Sequence, residues 1–170
     1  GTAAQPEDDH TTFPGVNCWF TGQASPGASI GTNDVDGGMT TLMSNAFDVT
    51  GSLIPQVSYW RWFSNTQGSA PGTDVMTVQI SNNGGGTWTT AETVGPGGPE
   101  ANGGWYRREF LVRPLVTPTN NMRLRFNVSD LGDDSIVEAA IDDVLIASIE
   151  DVVAPPSTYC TANPNSTGNT

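Results

Sequence analysis

Period-two alternation of apolar and polar residues runs through most of this chain, and no window keeps a 3.6-residue apolar period for three turns. The clearest case is 122–130. There Met122, Leu124, Phe126 and Val128 point one way, and Arg123, Arg125, Asn127 and Ser129 point the other. Similar runs occupy 39–49, 55–65, 74–83 and 105–112, and Met76, Val78 and Ile80 share a face of the third. The run 135–148 is apolar on both faces, as a central strand would be. Turn clusters rich in Gly and Pro separate these runs. Seven or eight short strands at this spacing predict an all-β fold, an antiparallel β-sandwich of jelly-roll type.

The chain has 170 residues, enough for one domain with a real core. Residues 1–148 carry the strand pattern. From 149 to 170 the texture turns rich in Ser, Thr, Pro and Asn and reads as a linker or the opening of another module. Its 18 acids against six basic residues, all arginine, give a net charge of −12. That charge repels nucleic acid and anionic membrane surfaces and attracts cations. No apolar run reaches the ~20 residues of a membrane helix. Cys18 and Cys160 lie too far apart in sequence for a zinc motif, and each is free to pair with the other or elsewhere. Asn127 and Asn165 open matches to the short glycan-acceptor pattern. The start of the chain reads as the interior of a longer secreted protein.

Candidate chemistry centres on carboxylates. On a strand through 138–144, either Asp142 or Asp143 must turn toward the core, where an ionised Asp needs an arginine or a metal as counter-charge; the plain alternative leaves it at the strand end, in water or capping a loop. Glu7, Asp8, Asp9, Asp34, Asp36, Asp142 and Asp143 offer the oxygen ligands that calcium prefers. The sharp expectation is one structural calcium, with loops 5–9 and 31–38 meeting the strand at 142–143. Asp9, Asp34, Asp36, Asp142 and Asp143 are its ligands in that reading. The plain alternative leaves Asp34-Val35-Asp36-Gly37-Gly38 as a turn. Catalytic signatures are absent: one histidine (His10), no lysine, no nucleophile elbow and no phosphate loop.

Aromatics raise a second expectation, sugar binding. Strand 55–65 puts Trp60 and Trp62 on one face and Tyr59, Arg61 and Phe63 on the other. With the tryptophans assigned to the core, Tyr59 and Arg61 lie outside. Together with Trp105 and Tyr106 they form the candidate ligand surface. The stretch 81–88 fits S-x-N-x-G-x-T-W and resembles an Asp-box hairpin with Asn83 in the acidic position, which makes Trp88 structural.

Four segments in order, "DDHTT" (8–12), "TTLMSNAFDV" (40–49), "VSYWRWFSN" (57–65) and "AAIDDVLIAS" (139–148), resemble the MAM domain and its bacterial secreted relatives. The resemblance covers about residues 8–148. It implies a jelly-roll sandwich, MAM-like or galactose-binding-like, on extracellular or cell-surface proteins. It also implies a non-catalytic role in adhesion or assembly, and a structural cation held by acids such as Asp9, Asp142 and Asp143. Partners in that reading are other proteins or cell-surface glycans. Two alternatives accompany it: a carbohydrate-binding module of a secreted hydrolase, and a self-assembling filament or surface-layer subunit. The family's cysteine pattern and a strand ahead of "DHT" are missing here. An edge left open by that strand would accept one from another chain, with 149–170 as a donor.

Overall fold

A computed structural model describes residues 4–132 and 135–149. Residues 150–170, with Cys160 and Asn165, lie outside the described residues, so the 149–170 module boundary falls there except for Ile149. The described chain forms eight strands. They are β1 (Trp19–Phe20), β2 (Gly38–Met43), β3 (Pro55–Gly68), β4 (Met76–Ser81), β5 (Thr89–Val94), β6 (Tyr106–Leu111), β7 (Arg123–Asp130) and β8 (Ser135–Ser148). A single 3₁₀ turn covers Pro99–Ala101. Two four-stranded antiparallel sheets result, ordered β1-β8-β3-β6 and β2-β7-β4-β5. This is the expected all-β sandwich.

The core is what alternation specifies. Leu124, Phe126 and Val128 of β7 join Met76, Val78 and Ile80 of β4 from one sheet. Val57, Tyr59 and Phe63 of β3 with Val137, Ala139 and Ile141 of β8 meet them from the other. The opposite face of the second sheet is polar. Asn127 links Thr41 (2.9 Å) to Thr77 and Gln79 across three strands. Arg125 lies over the Trp88 ring at 4.3 Å.

The turn between β4 and β5 is built by Asn83. Its Oδ1 accepts from Thr87 N (2.9 Å) and Ser81 Oγ (2.8 Å), and Ser81 Oγ also accepts from Gly85 N. Gly84 and Gly85 take positive φ, which a side chain would strain. The 95–104 segment is a loop between β5 and β6, and its 3₁₀ turn carries Glu100 back to the sandwich.

Candidate functional site

The site grows from one irregularity in β8. Up to Asp142 this strand pairs with β3 residue for residue from Ser64, and Trp60 faces Asp142. The register then shifts, so that Ser58 faces Leu145, and Asp143 sits at φ 48. This is a β-bulge, with an aspartate in the left-handed region it tolerates better than most residues. The bulge resolves the conflict between the two carboxylates. Asp142 takes the outer face with Glu138 and Ala140, and Asp143 turns out to solvent instead of inward beside Ile141.

Residues 4–11 lie as a strap across that outer face, and the carboxylates hold it. Asp142 Oδ2 accepts from His10 N (2.9 Å) and more weakly from Thr11 N and Oγ1 (3.4 Å each). Asp143 faces His10 Nδ1 and accepts from Thr11 Oγ1, both at 2.9 Å. The hydrogen bond from His10 holds the Asp143 carboxyl below its ordinary value, against some burial and with help from Thr11. Glu138, buried at the far end, accepts from Gln5 Nε2 (2.7 Å) and Thr21 Oγ1. The strap also covers aromatics. The His10 ring stacks on Trp60 with centroids 3.5 Å apart. Trp62 Nε1 donates to Ala4 O at 2.8 Å. Trp105 meets both His10 and Trp62 edge-on.

The five predicted metal ligands separate into two groups. Asp9 stays with Asp142: burial, then Asp8, then the charge of Asp142 raise its carboxyl above the ordinary value. Its Oδ2 is shielded from water with no donor among the described residues. Asp34 and Asp36 stand elsewhere. Val35 bridges Val137, its N donating to Val137 O at 3.0 Å, five residues before Asp142. That is about 17 Å along a strand, whereas calcium–oxygen distances are about 2.3–2.6 Å. Burial and then Asp36 raise the Asp34 carboxyl, with a smaller push from Asp130. The expectation of a single ion gathering all five is therefore corrected. Among the described residues, no group of three or more His, Cys, Asp or Glu is placed to hold a metal ion.

The ligand surface also needs correction. Tyr59 and Arg61 are not outside; each is 1% exposed. β3 turns Val57, Tyr59, Arg61 and Phe63 inward and Trp60 and Trp62 outward, the reverse of the expected faces. An inward arginine is tolerable because two glutamates meet it. Arg61 donates to Glu92 Oε1 from Nε (3.0 Å) and Nη2 (2.7 Å), and Nη2 also reaches Glu100. Tyr59 Oη donates to Glu92 Oε2 at 2.6 Å, and Arg108 Nε to Glu92 Oε1 at 2.9 Å. Tyr106 lies against the same cluster, its ring 5.7 Å from the Arg61 guanidinium. Of the four predicted ligand residues, Trp105 is the one within the outer-face group. His10, Trp60 and Glu138 belong to the site and were not expected there. Their partners lie fifty or more residues away in sequence, beyond the reach of any local pattern.

Apolar side chains remain open where strap and strands stop. Val144, Leu145 and Ile146 are exposed beyond the bulge, Trp19 and Phe20 on the flank between the sheets, and Met39 and Met43 on the outer face of the second sheet. Trp19, Thr40, Leu42, Met76 and Ile141 line a cleft of about 170 Å³ on that flank. Small-molecule sites run to about 300–1,000 Å³, so it is sized for an apolar side chain. Burial, followed by the charges of Asp142, Asp9 and Asp8, pushes the nearby Cys18 thiol up, which keeps it protonated and a weak nucleophile. No helix among the described residues is long and apolar enough to cross a membrane. No family model matches this chain, and no curated protein matches it.

Proposed function

We propose that the chain is a non-catalytic, extracellular β-sandwich module for adhesion or assembly, of MAM-like, jelly-roll type. The observation that carries this reading is the exposed aromatic pair of β1, Trp19 at 68% and Phe20 at 45%, beside an apolar cleft between the sheets. On a chain of net charge −12, such surface is the mark of a protein contact. The groups best suited to chemistry are engaged in structure. His10 is stacked and hydrogen-bonded, Tyr59 and Arg61 are locked between sheets, and Cys18 is held as a thiol. The ordered resemblance to secreted modules supports the same reading.

Calcium enters this proposal only at Asp9 and Asp142, where a cation would offset the burial, and then the Asp8 and Asp142 charges, that raise the Asp9 carboxyl. Ligand at a hundredfold excess over its dissociation constant adds about 2.7 kcal/mol of stability. Chelator is therefore expected to lower the melting temperature, with recovery by calcium and not by sodium. Asp9→Asn should abolish that response. The carbohydrate-module alternative keeps one feature, the outward Trp60, Trp62 and Trp105 group, but the strap occupies it. A glycan array separates the readings. The assembly module shows no saturable glycan binding. Saturable binding lost in Trp105→Ala would overturn it.

A further inference from the structure

We propose that the free edge of β8, from Val144 to Ser148, docks an extended segment of another protein, apolar at alternate positions and basic between them. The inference rests on the assembly reading and gives it a partner.

β1 pairs with β8 only at Ala140 and Ile141. Beyond them, among the described residues, no strand flanks β8 on that side. Register shows which main-chain groups are presented. Leu145 and Ala147 pair with Ser58 and Gln56, and Ile149 N donates to Ile54 O at 2.9 Å. Alternation then turns the N–H and C=O of Val144, Ile146 and Ser148 to the open side. Natural sheets guard such edges with charge, proline or bulges. Here the bulge at Asp143 guards only the start, and residues 144–149 carry neither charge nor proline.

The space beside the edge fits a strand. A groove separates Ile146, Ala147 and Ser148 from the loop at Asp48, Val49, Gly51 and Ser52. An added strand would run about 4.8 Å from β8. The groove is acidic at Asp48, which is held ionised by Thr50 N (2.8 Å) and Oγ1 (2.7 Å).

Charge complementarity selects the occupant. A second copy brings another −12 and no lysine. Its arginines are already engaged. Arg61 and Arg108 hold Glu92 and Glu100, and Arg107 holds Glu109. Arg113, Arg123 and Arg125 bind Leu53 O, Ser44 O and Gln79. A foreign segment with lysine or arginine between its apolar residues satisfies edge and groove together.

The test uses the full 170-residue chain and two capped octapeptides of equal composition, VKVKVKVK and VVVVKKKK, with calorimetry and amide chemical shifts. The alternating peptide is expected to bind more tightly, with the largest shifts at Val144, Ile146 and Ser148. Ile146→Pro removes an edge donor and leaves the β3 ladder intact; it should weaken binding about tenfold, the equivalent of one to two hydrogen bonds. Ile146→Ala should have little effect. If Ile146→Pro does not fold, Val144→Lys on the edge serves the same purpose and should also weaken binding. No binding, or equal binding of the two peptides, overturns the proposal. So do shifts confined to Trp19 and Phe20, but that last result leaves the assembly reading standing.

Discussion

Glu92 and Glu138 are both shielded carboxylates, one between the sheets and one on the outer face of β8, and their surroundings move them in opposite directions. Burial raises both. At Glu92 that is outweighed by hydrogen bonds from Arg61, Tyr59 and Arg108 and by the charge of Arg61, and its carboxyl ends below the ordinary value. Glu138 receives only the neutral donors Thr21 and Gln5 and faces Asp34, so burial prevails and its carboxyl ends above. The depth of an acid does not decide whether it stabilises a fold; the charge of its partners does. The interior cluster joins β3 and β6 of one sheet to β5 of the other. The outer carboxylates serve instead to tether a strap and keep part of their cost unrelieved.

Breaking the interior side gives the largest effect. Arg61→Ala opens a void between the sheets and leaves Arg108 as the one cation beside Glu92 and Glu100, and loss of a buried charge partner costs up to about 3–5 kcal/mol. The midpoint of urea unfolding reads it. Next comes a matched pair of substitutions. Glu92→Gln should cost about 1.5–3 kcal/mol, the worth of hydrogen bonds to charged groups, whereas Glu138→Gln should raise stability at pH 7. Equal losses from the two would break the comparison.

The pH dependence carries the same contrast. Glu92 and Glu100 lie below 4.5 when folded. Their contribution is complete above pH 4.5 and drains away as pH falls through their folded values. Glu138 lies above 4.5 when folded. In that window the folded chain holds a proton the unfolded chain has released, so its contribution is present at low pH and declines as pH rises. The advantage of Glu138→Gln should therefore be absent below pH 4.5 and grow above it. The smallest effect belongs to the strap. Asp142→Ala should lower stability by about 1 kcal/mol, yet make residues 5–11 markedly more sensitive to protease, which Arg61→Ala under folding conditions would not do selectively.

Some of this was legible in the sequence. β7 announced itself through strict alternation, and Asn83 with the glycines after it announced the β4–β5 turn. β5 did not, because Thr89, Thr90, Thr93 and Glu92 leave no apolar run. The inward face of β3 was not legible either. Trp60 with Trp62 and Tyr59 with Phe63 are equally plausible core sets, and the choice is made by Glu92 and Glu100, about thirty to forty residues away, which make an inward Arg61 tolerable. The acids at 142–143 were expected to meet an arginine or a metal, and they meet the donors of His10 and Thr11 instead. Their partners were not visible, since His10 and Thr11 reach them through main-chain and side-chain donors with no periodic signature.

Amide hydrogen exchange along β8 in the free chain tests the central claim most directly, namely that one strand is closed at its first half and open for docking at its second. Slow exchange at Ile141 and at Leu145 and Ala147, with fast exchange at Val144, Ile146 and Ser148, is the predicted profile. Uniform protection from Ile141 to Ser148 would contradict it, because the edge would then already have a partner.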